Sequence, residues 1–177
     1  MTKTRLSDEK MLSNLSSKTL IDLFFTHIRN VWRVDGLYFL GIEEKFGTDE
    51  ATRIDAQCHK VLGKIEAKVL PGVLGLENRD IENLVTALKS SCWSLDLQEK
   101  TYELHKDHAV LTVNACGTQL TRQKKGLTVF PCKQVRKGYL ESFVETFNPD
   151  LQCICKFCPP DELPENAWCQ WEFRKRS

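Results

Sequence analysis

Ala109-Val110-Leu111-Thr112-Val113-Asn114-Ala115-Cys116 is the stretch on which the fold turns. It is rich in β-branched and apolar residues and free of glycine and proline, the composition that suits a pleated, half-buried surface. Working upstream, residues 95 to 104 read as its partner strand, and His105-Lys106-Asp107-His108 is a polar turn that closes a hairpin. Working downstream, strands at about 151 to 157 and 167 to 174 flank Pro159-Pro160-Asp161-Glu162-Leu163-Pro164 and form a second hairpin. Between the hairpins a basic loop with Gly126 leads to Phe130-Pro131-Cys132. A helix marked by Tyr139, Leu140, Phe143, Val144 and Phe147 follows and stops at Asn148-Pro149.

Three helices precede the first hairpin. Thr19 and Asp22 read as an N-cap with an acidic third position. The helix they open carries Leu20, Leu23, Phe24, Ile28, Val31, Trp32, Leu37, Phe39, Leu40 and Ile42 and ends at Gly47, with a kink expected at Asp35-Gly36. Gly47-Thr48-Asp49-Glu50 predicts a stop, a cap and an acidic first turn for a second helix, which Pro71-Gly72 is expected to break near Val69. A third, about Arg79 to Ser90, follows Asn78 with Ile81, Leu84, Val85 and Leu88 on one face. The class is therefore α+β: an antiparallel sheet of about four strands in two hairpins, covered by three N-terminal helices and one inserted helix. Residues 1 to 16 are polar and expected to fray, and 17 to 177 form one domain.

The 177 residues are 41% hydrophobic and 28% charged, ordinary globular usage. Twenty-five basic against 24 acidic residues leave a formal charge of +1, without the basic excess of a nucleic-acid binder. The amino terminus has no apolar core of a signal peptide, and Leu37 to Ile42 is too short to cross a bilayer. A cytoplasmic location is expected, with neither nucleic acid nor membrane as partner.

Eight cysteines are too sparse for a disulfide-stapled scaffold, so in a reducing compartment they point to metal. Cys155-Lys-Phe-Cys158 is a C-x2-C pair, Cys169 follows after ten residues on the next strand, and Cys132 opens the fourth helix, whose dipole favours a thiolate. Four thiolates closing on zinc would leave no open position, making the ion structural. An iron–sulfur cluster and buried unliganded thiols are the alternatives, and Cys153 is a substitute for one ligand.

Gly126-Leu-Thr-Val-Phe-Pro-Cys132, Cys155-x2-Cys158-Pro-Pro-Asp161 and Trp168-Cys169-x-Trp171-Glu172-Phe173 resemble a prokaryotic family related to the L-2-amino-thiazoline-4-carboxylate hydrolases. Trp32-Arg-Val-Asp35-Gly36-Leu-Tyr38-Phe39 with Glu43-Glu44 resembles that family's first helix. The C-terminal half also resembles vinyl-four-reductase-type ligand-binding domains, which implies zinc on Cys132, Cys155, Cys158 and Cys169 and pairing of two copies as a homodimer. The longer proline-rich loop before Cys169 departs from that pattern and leaves the fourth ligand open.

Other residues could carry chemistry. Asp55 and His59 share a helix face at i and i+4, with Glu43 and Glu44 able to face them. Cys116 and His105 would make a nucleophilic pair if their ends of the hairpin met. Trp32, Tyr38, Trp93, Phe39 and His105 could line a pocket between helices and sheet, with Arg122 meeting an anionic ligand. P-loop, dinucleotide-binding and common protease signatures are absent from the sequence. The reading is a zinc-stapled module binding a small organic ligand. The alternative is a hydrolase opening a cyclic amidine or thiazoline-like C–N bond, and a third is an iron–sulfur or redox protein.

Overall fold

The computed structural model describes residues 3–176 and is α+β, with a single open sheet. Its helices are α1 (Lys3–Ser13), α2 (Ser17–Phe46), α3 (Thr48–Leu74), α4 (Ile81–Lys89), α5 (Cys92–Asp96), α6 (Gly117–Lys124) and α7 (Lys133–Phe147). Its strands are β1 (Glu99–Leu104), β2 (His108–Ala115), β3 (Leu151–Phe157) and β4 (Cys169–Lys175). Among the described residues, no helix is long and apolar enough to cross a membrane.

The two expected hairpins join into one sheet of order β1-β2-β4-β3, antiparallel throughout. The register explains why they join. Ala109, Leu111 and Val113 of β2 lie opposite Phe173, Trp171 and Cys169 of β4, and all six are buried. Strand side chains alternate, so a shift of one residue would send this whole set to solvent. The other face carries Thr112, Gln170 and Glu172, with Lys156 Nζ donating to Glu172 at 3.0 Å.

The α7 helix lies on the apolar face of the sheet with Val135, Tyr139, Leu140, Phe143 and Phe147 buried, and α4 adds Leu84 and Leu88. The α3 helix covers α7 through Thr52, Ala56, His59, Gly63, Ala67 and Pro71, a stripe of mostly small residues at helical spacing. At Gly63 the backbones approach so closely that any Cβ would run into the Tyr139 carbonyl. Ser142 Oγ donates across the same seam to the Lys60 carbonyl at 2.8 Å. The α2 helix runs beside α3 and is the outermost, with no fully buried residue.

Several boundaries differ from expectation. The α2 helix is unbroken at Asp35-Gly36, because one glycine costs only about 1 kcal/mol and its neighbours keep the ladder. Its cap is Ser16, whose Oγ accepts from Thr19 N–H at 3.1 Å. The α3 helix passes through Pro71 to Leu74 and ends at Gly75 in the left-handed conformation. Pro71 is tolerated because it lies in the last turn, where its missing N–H frees only one carbonyl. Asp80, not Asn78, caps α4. The stretch at 95–98 precedes β1, and the expected basic loop holds α6 before turning at Gly126, φ 69°. Lys3–Ser13 is helical although polar in sequence, while Met1 and Thr2 of the segment expected to fray lie outside the described residues.

Candidate functional site

A cleft of about 510 Å³ opens between α2, α6 and the start of α7, with Asp55 of α3 on its wall. Trp32, Asp35 and Phe39 sit at i, i+3 and i+7 of α2, so one helix face presents all three to it. Asp55 and His59 share a face of α3 by the same rule. Arg136 sits at the start of α7, its N–H bonded to the Cys132 carbonyl at 2.9 Å.

These groups form one charged network. His59 is buried, and its Nδ1 lies 2.7 Å from Asp55 Oδ1. Its Nε2 faces Arg136 Nη2 at 3.4 Å. With Nδ1 donating to Asp55, Nε2 is placed to meet the guanidinium, which links the three side chains. Asp35 is half-buried beside them; burial and then the charge of Asp55 push its carboxyl up, against His59 and Arg136. One ligand atom from each of Asp35, Asp55 and His59 falls within 4.8 Å of the others, so the three could hold a metal ion.

Arg136 is the singular group. It is 8% exposed, and its guanidinium carbon lies 5.0 Å from the Trp93 ring centre and 5.6 Å from that of Trp32. Trp32 is fixed by its own Nε1, which donates to the Cys92 carbonyl at 3.1 Å, and it stacks on His59 at 5.7 Å. Among the described residues, Arg136 Nη1 and Trp171 Nε1 are the buried side-chain donors that lack an acceptor. Arg136 borders both the cleft and a smaller cavity of about 30 Å³. Leaving such a donor unpaired costs about 1–3 kcal/mol, more for a charged group.

Arg122 was expected to meet a ligand anion, and it does line the cleft. Its charge, however, is already matched. Nη1 and Nη2 each donate to Glu43 at 2.9 Å, and Nε donates to the Thr128 carbonyl at 2.8 Å. This fork holds the Glu43 carboxyl below its ordinary range, chiefly through the hydrogen bond from Arg122. Glu43 is therefore tied to α6 and does not face Asp55 and His59.

Two of the expected metal cysteines meet below the cleft, but among the described residues no three cysteines bring their sulfurs within 4.8 Å of one another. Cys132 and Cys158 lie 3.7 Å apart, and Cys158 also hydrogen-bonds to Cys169. Hydrogen bonds to Cys132 and then Cys169 push the Cys158 thiol far up. The same bond from Cys158, helped by Arg136 and the Gln119 amide, holds Cys132 below the usual thiol range. Gln119 Nε2 lies 3.6 Å from Cys132 Sγ. The Lys133 N–H donates to the Pro159 carbonyl at 2.8 Å and its Nζ grips both oxygens of Asp161, locking the loop after β3 onto α7.

Cys155, the first cysteine of the C-x2-C pair, stands opposite Trp171 on β3, next to a bulge. Its charged surroundings are mainly Lys133 and Asp161, and burial pushes its thiol up to about 11. Cys153 is likewise pushed up by burial, one pair further along β3.

The pairing of Cys116 with His105 fails. Cys116 follows Ala115, which pairs with Glu99 at one end of the hairpin, while His105 closes the turn at the other. His105 is exposed and stacks on His108 with ring centres 4.4 Å apart. It lines no part of the cleft, because six residue pairs of ladder separate it from α6. Tyr38 also falls outside: it is 72% exposed, on the α2 face turned from the cleft. Trp32 and Trp93 do reach the site, as the two aromatic walls of Arg136. Arg136 and Asp35 escaped the sequence reading. The one available signal was that Arg136 lies a single helical turn beyond Cys132.

No curated protein and no solved structure matches the chain. Residues 12–175 match a family described as a family of unknown function (DUF6125), nearly the whole chain and both halves of the site. The chain therefore belongs to the DUF6125 family.

Proposed function

We propose that this protein binds a small organic anion in the cleft, on a scaffold braced by zinc at its cysteines. Arg136 carries the reading: a buried guanidinium, clamped between Trp32 and Trp93, with Nη1 unpaired beside the cleft. A carboxylate there would complete a bidentate or single charge-assisted hydrogen bond in a place already shielded from water. The lining supports the sign. Arg29, Arg33, Lys125 and Arg136 add to the Glu43-paired Arg122, against Asp35, Asp55 and Asp96. The volume suits a ligand of ordinary metabolite size. Zinc is the ion proposed for the sulfurs: Cys132 and Cys158 stand 3.7 Å apart, near the edge of a tetrahedron with 2.3 Å bonds, and a bound ion would have to draw the other thiolates inward. Free cysteines throughout the chain favour a reducing, cytoplasmic setting.

A panel of small carboxylates and their amide analogues, followed by thermal shift and calorimetry on the intact chain, tests this. A ligand at a hundred times its Kd adds about 2.7 kcal/mol to stability. Carboxylates should stabilise the protein saturably, amides should not, and Arg136→Gln should abolish the difference. Equal responses to both classes, or an unchanged carboxylate response in Arg136→Gln, would defeat the reading.

One observation favours hydrolysis of a cyclic amidine or thiazoline-like ring as a second reading. Asp35, its carboxyl raised by burial, stands in the same cleft as the Asp55–His59 pair, so carboxyl and imidazole groups able to relay a proton lie together. Water would add across the C–N bond, its proton passing to the departing nitrogen. Product formation lost in Asp35→Asn, with binding kept, would select this reading over binding alone.

A further inference from the structure

We infer that the cleft takes an amino acid with an apolar side chain, its carboxylate on Arg136 and its ammonium between Asp35 and Asp55. This rests on the anion reading above and names the class of ligand for the same cleft. The charges already matched along the cleft narrow the choice. Arg122 is engaged by Glu43, and Asp55 is bonded to His59. Two groups are left over. Arg136 is 8% exposed and keeps Nη1 without an acceptor. Asp35 lines the same cleft, half-buried, and its carboxylate senses Asp55 and Arg136 through space while accepting no hydrogen bond from the described residues.

The spacing of these groups fits one head group. The packing of α2 beside α3 brings an oxygen of Asp35 and one of Asp55 within 4.8 Å of each other. One nitrogen at about 2.8 Å from each can therefore donate to both, and an ammonium has three N–H bonds to give. The guanidinium stands across a single imidazole ring. His59 Nδ1 lies 2.7 Å from Asp55 on one side, and its Nε2 lies 3.4 Å from Arg136 Nη2 on the other. An amino-acid head group covers that kind of distance, with a charge-assisted hydrogen bond of about 2.8 Å at each end and its nitrogen two bonds from the carboxyl carbon.

Charge decides between the possible occupants. A plain carboxylate on Arg136 would enter a space that already holds two carboxylates, where water screens them weakly, and would be repelled by both. A positive nitrogen on the same molecule turns that repulsion into attraction. A divalent ion on Asp35, Asp55 and His59 would satisfy the oxygens, but it would bring more positive charge towards the guanidinium and leave Nη1 without an acceptor. The rest of the cleft describes the side chain. Phe39 lies one helical turn beyond Asp35 and meets Phe130 edge to face at 4.7 Å, and Leu40 and Leu127 complete an apolar stretch beside the charged end.

Calorimetry on the full chain with leucine, glycine, 4-methylpentanoate (leucine without its ammonium) and leucinamide (leucine without its carboxylate) tests the pattern. Leucine should bind saturably and at least about tenfold more tightly than 4-methylpentanoate, the change that one charge-assisted hydrogen bond makes. Glycine should bind more weakly than leucine, and leucinamide should not bind. Asp35→Asn should lose the preference for leucine while holding 4-methylpentanoate as well as wild type does, or better. Should that variant fold poorly, the wild-type ranking decides by itself. Equal affinity for leucine and 4-methylpentanoate would overturn the amino acid and leave the anion reading standing, and glycine as tight as leucine would overturn the apolar side chain. Failure of every carboxylate to bind would defeat both readings. Saturable cobalt(II) binding by the ligand-free chain, lost in Asp35→Asn, would assign the two carboxylates to a metal and overturn the inference as well.

Discussion

Glu43 of α2 and Arg122 of α6, 79 residues apart, meet through two parallel hydrogen bonds of 2.9 Å. The guanidinium is 5% exposed, so this contact fastens the outermost long helix to the element that follows β2 and sets one wall of the cleft.

Glu43→Gln should therefore cost about 3 kcal/mol at neutral pH, because it leaves a buried guanidinium with half its partner. The acid side of the stability profile checks the sign. Arg122 holds the folded-state carboxyl below 4.5, so its contribution is present above the unfolded carboxylate value and lost as pH falls through the folded one. Denaturation midpoints of Glu43→Gln should vary less than wild type below about pH 4.5. An equally steep acid limb in the variant would count against this pair as its source.

Gly63→Ala should be among the most damaging single-methyl changes in the chain. The added carbon meets the Tyr139 carbonyl and lies 2.8 Å from Ser142 Oγ, neither of which can move without opening the seam between α3 and α7. A loss of about 1–3 kcal/mol or more is expected in urea titrations, with Gly72→Ala, where a Cβ meets nothing, near neutral as the control.

On the proposed zinc reading, Cys158→Ser should abolish both metal and cooperative unfolding, since Cys158 contacts Cys132 at 3.7 Å and lies beside Cys169. Stripping the wild type with a strong chelator should lower its Tm by about 10 °C or more, given roughly 2–4 °C per kcal/mol in a chain of this size. Calorimetry before and after chelation, with metal quantified in both samples, provides the check. An unchanged Tm in metal-free protein would remove zinc from the account of stability.

The outward face of α2 carries Leu20, Phe24, Val31, Val34 and Tyr38, all exposed and spaced by four, seven, three and four residues. That spacing matches the seam of a two-stranded coiled coil, and we propose the same helix of a second copy as its occupant. Thirty residues span about 45 Å, long enough for an interface of ordinary size. The proposed homodimer should appear in light scattering at micromolar concentration, and Val34→Glu should yield monomers that still fold. Monomeric wild type over that range would exclude it.

Much of the architecture was legible because it rests on local periodicity. The alternation of Ala109 to Ala115, the helical spacing from Tyr139 to Phe147 and the stop at Gly47 are properties of neighbouring residues, and each holds. Boundaries that depended on competition with tertiary contacts did not: Pro71 rides inside α3, and Gly117 to Lys124 is helical although its sequence is mostly polar. In the latter case Gln119 and Arg122 are buried against Phe130 and Glu43, and those contacts, not an apolar stripe, keep the helix in place.

The sequence by itself determined the class of the fold, the likeness of its strands and helices to their final form, and the presence of thiols suited to metal. Which thiols share a space, which arginine is neutralised and which is left unpaired were decided by tertiary structure alone. The physical reason is that sequence spacing governs contacts within a helix or strand. The approach of β2 to β4, and of α2 and α3 to α7, is instead governed by burial of Leu111, Trp171 and Tyr139, residues far apart in the chain. Arg122 and Arg136 are equivalent as letters, and only the fold brings Glu43 to the first while leaving one nitrogen of the second, Nη1, without an acceptor.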